Sequence, residues 1–366
     1  MTLSSYLPPS GIDFLLENRN LIHALSQKKI GILTNQSALT RNYIPSVEAI
    51  KEKLGAALKC ILTPEHGWSG FVPEGVKIHH EVDPYLGLPL YSLYGGNKIN
   101  FRDVNIDTLI IDLQDVGLRC YTYTATCAKI LEACSGSSLE VIVCDRPNPL
   151  GPQRKGPTLD PHFRSFVGYL DVPFQHGQTT GELLSAFNQS LANTKLSLTV
   201  IPCQHDHTPY EYPWVPPSPN LPSWNAVLLY PALVLLEGTN ISEGRGTSLP
   251  FTCFGAPKLN HHEVVDFINR MDGIRARPLI FTPQSGEYRG KECHGAQLFI
   301  TDVGKLDAFA VGLKILDFLR KYYSSFEWSK MTGKKQGYFI DYLLGTDSFR
   351  KDFEKETLSE TSLAVL

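Results

Sequence analysis

Residues 29–36 read KIGILTNQ: a buried-strand pattern over Lys29–Leu33 that runs without a break into Thr34, Asn35 and Gln36. Three later stretches repeat the arrangement. Leu58–Leu62 (LKCIL) runs into Thr63-Pro64-Glu65-His66-Gly67, and Asp107–Ile111 (DTLII) into Asp112-Leu113-Gln114-Asp115. Leu139–Cys144 (LEVIVC) runs into Asp145-Arg146-Pro147-Asn148-Pro149. Short apolar runs that alternate with helix-like stretches are the mark of buried parallel strands. In an open parallel sheet, ligands sit outside the carboxyl ends of the strands. The pattern therefore predicts an α/β fold whose one sheet edge gathers Asn35, Glu65, Asp112, Asp115, Asp145 and Arg146. Such a concentration of polar groups marks an enzyme.

Working outward, residues 12–26 carry apolar side chains at helical spacing (Phe14, Leu15, Leu21, Ile22, Leu25) and should feed the first strand. Helices are expected at about 44–55, starting near Pro45, and near 122–135. The stretch from Trp68 to Asn105 is irregular and rich in Gly, Pro and Tyr, which is the signature of a functional loop. Thr179-Thr180-Gly181-Glu182 reads as a capping box opening a helix over 180–191. Leu196–Ile201 reads as a fifth strand. Thr208–Pro222 holds six prolines and is taken as the crossing into a second domain. Beyond it we expect a buried helix at Ala226–Leu236, a strand at Gly295–Thr301 and an amphipathic helix at Leu306–Tyr323.

A chain of 366 residues exceeds the size at which one core usually keeps growing. Two domains are expected, 1–222 and 223–366. Hydrophobic content of 42% with 19% charged residues is that of a globular protein. A net charge of -3 leaves no electrostatic footprint for nucleic acid or an anionic membrane, so a small molecule is the expected partner. The opening MTLSSYLPPSGID lacks a basic start and an apolar core, and no stretch is apolar enough to span a bilayer. A soluble, cytoplasmic chain is the expectation. Oligomeric state is not legible. The eight cysteines include no C-x-x-C pair; Cys120, Cys127 and Cys134 recur every seven residues, as buried hydrophobes on one helix stripe or, alternatively, zinc ligands. His79-His80, His205, His207 and His261-His262 have no spacing that forces a metal. No metal or cofactor is expected.

The first strand does not enter a G-x-G-x-x-G turn, whose glycines let backbone approach a pyrophosphate. That argues against a nucleotide-dependent enzyme. Glu65 is the leading catalytic candidate: it leaves a strand, is fixed by Pro64, and is followed by His66 and Trp68. Desolvation beside an indole favours the proton-carrying form of a carboxyl, as a general acid requires. Glu74 sits in a similar turn. Asp112 is suited to hydrogen bonding or to capping a helix, with Gln114, Asp115 and Arg119 close in sequence. Arg146 can grip a substrate carboxylate with two parallel bonds or pair internally with Asp145. His176 precedes a helix N-terminus. Between Glu237 and Thr247, two glutamates (Glu237, Glu243), Arg245 and three glycines are packed into eleven residues, as in a loop that closes on a ligand.

In order and spacing, the motifs TNQ, PEHG, SLYGG, DLQDVG-R-YTY, DRPNP-GP, HGQT-GEL, PSPNLP and EGTNISEGRGTSLPF-GAP are a close match to one family. The chain resembles the exo-β-N-acetylmuramidases of the NamZ type, long catalogued as a domain of unknown function. The resemblance runs from Gly11 to about Ile340. It implies a glycoside hydrolase removing terminal N-acetylmuramic acid from the non-reducing end of peptidoglycan fragments. It also implies a Rossmann-like, doubly wound N-terminal domain and a smaller C-terminal α+β domain closing an active-site cleft, with no metal or nucleotide. The motif positions are Glu65, His66, Asp112, Gln114, Asp115, Tyr121, Tyr123, Asp145, Arg146, His176, Asn220, Glu237, Asn240, Glu243 and Arg245. One departure is Cys203-Gln204-His205-Asp206-His207, where the family tends to carry a Trp-Arg element.

Glycoside hydrolysis needs a proton donor to the leaving oxygen and a group to meet the developing cation. Glu65 is the expected acid/base. The second group is Glu243, Glu74 or Asp112, or the substrate's own 2-acetamido group. Arg146 or Arg245 would recognise the lactyl carboxylate, and Trp68, Tyr94, Tyr121 and Tyr123 would stack on sugar. A non-catalytic muropeptide or sugar binder is the rival reading, and a nucleotide-dependent enzyme a weaker one.

Overall fold

The computed structural model describes residues 6–72, 81–94, 104–191, 194–204, 209–332 and 335–355. By contacts, the chain divides into two compact units that interleave along the sequence. The first comprises Met1–Gly117, Tyr121–Pro152 and Gly177–Pro219; the second comprises Leu118–Cys120, Gln153–His176 and Asn220–Leu366. A single cut at 222/223 would leave residues 153–176 with the first unit, whereas they pack with the second.

In the first unit, the four apolar runs form strands β1 (Ile30–Leu33), β2 (Leu58–Thr63), β5 (Thr108–Ile111) and β6 (Glu140–Cys144). Strands β3 (Glu81–Val82) and β4 (Pro89–Ser92) come from the stretch expected to be irregular, and β9 (Ser197–Ile201) from the expected fifth strand. The sheet order is β3-β4-β2-β1-β5-β6-β9, with only β3 antiparallel to its neighbour. Taking the parallel strands in chain order, this is the 3-2-1-4-5-6 arrangement of doubly wound sheets, whose direction of winding reverses between β1 and β5. The fold class is α/β with a mostly parallel sheet.

Every residue of β1 and β5 is buried, because helices cover both faces of central parallel strands. Ile30, Ile32, Ile61, Ile110, Ile142 and Cys144 share one core cluster with Ile12, Leu15, Leu25, Val47 and Ile50. The last five come from helices α1 (Gly11–Glu17), α2 (Arg19–Leu25) and α3 (Ser46–Leu54). One expected helix over 12–26 is thus two. Asn18 ends the first and caps the second through its side chain, which accepts from the Leu21 N–H. The other covering helices are α4 (Thr122–Ala133) and α5 (Thr180–Ser190). The second opens with the expected capping box of Thr179 and Glu182.

The second unit holds a three-stranded antiparallel sheet, β10 (Cys253–Ala256), β12 (Cys293–Ile300) and β11 (Ile274–Phe281), in that order. Its helices are α6 (Trp224–Leu233), α7 (His261–Ile268), α8 (Ala308–Tyr322), α9 (Phe339–Leu344) and α10 (Ser348–Glu354). A hydrophobic-all-round α6 is buried along its length except at Asn225, as such a helix must be. Gly312 of α8 allows the close approach, since a Cβ there would lie 2.7 Å from the Ala232 backbone. A separate pair, β7 (Lys155–Thr158) and β8 (Pro173–Gln175), completes this unit.

All eight cysteines are buried and none is in a disulfide. Only Cys127 of the heptad-spaced trio lies within a helix: Cys120 precedes α4 and Cys134 caps it. Burial pushes the thiols up, to about 12 for Cys120 and about 11 for Cys134. No helix among the described residues is long and apolar enough to cross a membrane. Among the same residues, no cluster of His, Cys, Asp and Glu is arranged to hold a metal ion.

Candidate active site

The winding reversal places the ends of β1 and β5 side by side, since Leu33 pairs with Ile111. Asn35 and Asp112 leave the sheet there, and Glu65 leaves β2 on the other side of β1. Glu65 is 8% exposed. One carboxylate oxygen, Oε2, accepts from the Thr122 hydroxyl at 2.7 Å, at the first residue of α4. The other oxygen, Oε1, has no hydrogen-bond partner among the described residues and is not sealed from solvent. A carboxyl anchored on one side and open on the other is poised to exchange a proton.

The turn that carries Glu65 is held from several directions. His66 sits at φ 71°, a left-handed conformation uncommon outside glycine. Its ring is fixed at both nitrogens. Nδ1 lies 2.8 Å from the Val72 carbonyl, which can only accept, so Nδ1 carries the proton. Nε2 then accepts from the Ser218 hydroxyl at 3.2 Å. Behind the turn, the Tyr123 hydroxyl donates to the Pro217 carbonyl at 2.6 Å and accepts from the Asn35 amide at 2.9 Å. Gln36 donates to the Pro216 carbonyl at 2.9 Å. The proline-rich stretch, expected as a linker, is therefore part of the wall around Glu65. Proline supplies carbonyls without N–H groups, so it meets donors on the sheet.

Tyr123 is 1% exposed, and its ring packs against Tyr121 at 4.6 Å between centroids. Burial raises its hydroxyl above the ordinary tyrosine range. Neither ring offers a face for a sugar, because both are spent on packing. Trp68 packs against the sheet's core cluster. The group that holds the Glu65 carboxylate is the Thr122 hydroxyl, which the sequence does not single out although it lies inside the YTY motif.

Asp112 does not cap a helix, and Arg146 does not pair with Asp145. Arg146 Nε donates to Asp112 Oδ1 at 2.6 Å and Nη2 to Oδ2 at 2.9 Å, a two-pronged pair between adjacent strand exits. Nη2 also donates to the Leu39 carbonyl at 2.9 Å. Asp145 instead receives the Thr179 hydroxyl at 2.5 Å and the Gly181 N–H at 2.8 Å, tying β6 to the start of α5. A Cβ at Gly181 would lie 2.8 Å from that carboxylate, so the position has no room for a side chain. Gln114 donates to the Asp115 and Pro147 carbonyls, and Asp115 accepts from the Gly117 N–H at 2.7 Å.

The remaining sequence candidates belong to the second unit. Arg119, 2% exposed, donates to the carbonyls of Pro157, Val172, Leu343 and Leu344. It clips that unit together rather than meeting a ligand, and burial lowers it to about 10. Arg245 lies between two carboxylates, 2.8 Å from Glu237 and 2.7 Å from Glu243, with its guanidinium 4.7 Å from the Phe251 ring centre. Asn240 bonds the Ser325 carbonyl and the Glu327 N–H. His176 is fully buried and Asn220 half-buried. Glu74, His79-His80 and residues 205–207 lie outside the described residues.

Comparison with known families settles the lineage. The model described as the N-terminal domain of exo-β-N-acetylmuramidase NamZ matches residues 30–225, and the C-terminal model matches 228–364. The chain belongs to the NamZ family. A Bacillus subtilis (strain 168) relative, peptidoglycan β-N-acetylmuramidase NamZ, is 37% identical over 362 residues, covering 96% of this chain and 85% of that one. Among solved structures, a DUF1343 family protein from Bacteroides fragilis superposes with a TM-score of 0.82 at 26% identity, over 96% of this chain and 92% of the other. A second B. fragilis DUF1343 protein gives 0.73 at 29% identity, over 99% and 94%. Glycosidase activity calls for no dinucleotide, in keeping with a turn after β1 that lacks the glycines a dinucleotide needs.

Proposed function

We propose that this NamZ-family chain releases terminal N-acetylmuramic acid from the non-reducing end of peptidoglycan fragments, as in cell-wall turnover or recycling. Family membership makes it a glycosidase acting on peptidoglycan-derived saccharides. The observation that carries the mechanism is the one-sided anchoring of Glu65, with Thr122 on Oε2 and Oε1 left open.

Glu65 serves as the general acid and then the general base. Its proton passes to the glycosidic oxygen as the bond to C1 breaks. Asp112 is unsuited to meet the cation, since both its oxygens are bound to Arg146. Glu243 has one oxygen, Oε1, paired with Arg245, and Glu74 lies outside the described residues. We assign the nucleophile to the substrate: the 2-acetamido oxygen attacks C1, forming an oxazolinium ring as the leaving alcohol departs. Water then attacks C1 and gives a proton to Glu65, and the ring opens with the original configuration restored.

The test is a proton NMR time course with a MurNAc–GlcNAc disaccharide, together with inhibition by the thiazoline analogue of the cyclic intermediate. Release of N-acetylmuramic acid first as the β-anomer, with tight thiazoline inhibition, is the expected result. Release of the α-anomer would overturn the substrate-assisted step. No release at all would overturn the activity.

A further inference from the structure

The two arginines near candidate carboxylates differ in what they have left to give. Arg245 is clamped by Glu237 at one end and Glu243 at the other, so its positive charge is already met twice. Arg146 spends Nε and Nη2 on Asp112 and the Leu39 carbonyl. Its third nitrogen, Nη1, has no hydrogen-bond partner among the described residues, although the residue is only 7% exposed. That nitrogen carries two N–H groups and is not sealed from solvent, so both are free to meet a ligand.

Arg146 lines a narrow, partly open recess of about 30 Å³ beside the ends of β5 and β6. The other walls include Pro147, Trp214, Leu7, Tyr212 and Gln114. Prolines, an indole and a leucine share the lining with the polar Ser10, Ser37 and Gln114. Gln114 has its amide nitrogen tied to the Asp115 and Pro147 carbonyls, so it presents only its oxygen to a ligand. A single cationic donor among partly apolar walls suits a small acid with a short apolar stem. Asp112 holds the guanidinium through Nε and Nη2 and so positions Nη1 without using it.

Resting on the function proposed above, we infer that this recess is the subsite for the lactyl carboxylate of N-acetylmuramic acid, with Arg146 Nη1 as its donor. The 3-O-lactyl ether is what separates this sugar from N-acetylglucosamine. Arg146 thereby becomes the specificity-determining residue, and Asp112 a positioning residue.

Calorimetric titration tests this without requiring turnover. Wild-type protein is titrated with N-acetylmuramic acid and with its lactyl carboxamide, which keeps the shape and loses the charge. The acid should bind at least about tenfold more tightly, the scale of a charge-assisted hydrogen bond. Because removing Arg146 alone strands a buried aspartate, the variant is the neutral double replacement Asp112→Asn/Arg146→Gln, checked by its melting curve. It should bind the two ligands within about twofold of each other. Equal affinities in the wild type, or a preference for the acid that survives in the folded variant, would overturn the assignment. If wild-type protein shows the preference but releases no sugar from the disaccharide, the subsite stands and the proposed activity fails. If it releases the sugar without the preference, the activity stands and the subsite fails.

Discussion

Two strand exits in one sheet have been put to opposite uses. Where β2 ends, Glu65 is anchored through one oxygen by Thr122 and keeps the other open. Where β5 ends, Asp112 has both oxygens taken by Arg146. Both carboxylates are buried at the carboxyl edge of parallel strands. What separates them is how much of their bonding capacity the protein has already consumed. The half-committed group is fit to move a proton; the fully committed one can only hold its partner in place.

The comparison is broken most directly by neutralising the open carboxyl. Glu65→Gln should lower turnover of a chromogenic N-acetylmuramide by about a thousandfold, within the usual range for a lost general acid. Its melting temperature should stay near the wild-type value. At the other exit the balance should invert. Asp112→Ala leaves a buried guanidinium without its counter-charge, and denaturant titration should show a loss of about 3–5 kcal/mol. A subtler probe sharpens the contrast: Thr122→Val removes the anchor and should cost about tenfold in kcat. Its stability should fall by less than that of Asp112→Ala. A Thr122→Val protein with full activity would mean that the anchoring is incidental.

The smallest effect lies far from both exits in the chain. Burial, then His262 and His294, hold the His261 ring below its ordinary 6.5. As pH falls past about 6.5, the unfolded chain binds this proton before the folded one does. Stability present above that value is therefore lost below it. Denaturant midpoints between pH 7.5 and 5 should fall for wild type and fall less steeply for His261→Gln.

Much of this architecture is written in the local sequence. Strands buried on both faces become near-continuous apolar runs, so β1, β2, β5 and β6 stand out, and the alternation with helices gives a parallel sheet. Strand β11 is not legible in the same way, because most of its residues are at least partly exposed and it carries Arg275, Arg277 and Pro278. The strand exits identify the acidic residues but not their partners. Asp145 and Arg146 look like a ready-made pair, yet adjacent residues of an extended chain point to opposite sides. Arg146 reaches the neighbouring strand's Asp112 instead, a relation only the sheet order supplies. Arg119 shows the same limit, since four carbonyls scattered over residues 157–344 absorb its two terminal nitrogens. The wall around Glu65 depends on Ser218 and Pro217, which are about 150 residues downstream and lie in a stretch whose composition suggests only a connector.

The burial of every cysteine has a practical corollary. With all eight sulfurs inside and their proton affinity raised, an alkylating reagent such as iodoacetamide should find almost nothing to modify in the native protein. Each global opening event would expose the full set at once. Mass added per molecule would then appear in steps set by which unit has opened, giving the molecule a built-in clock for its own unfolding.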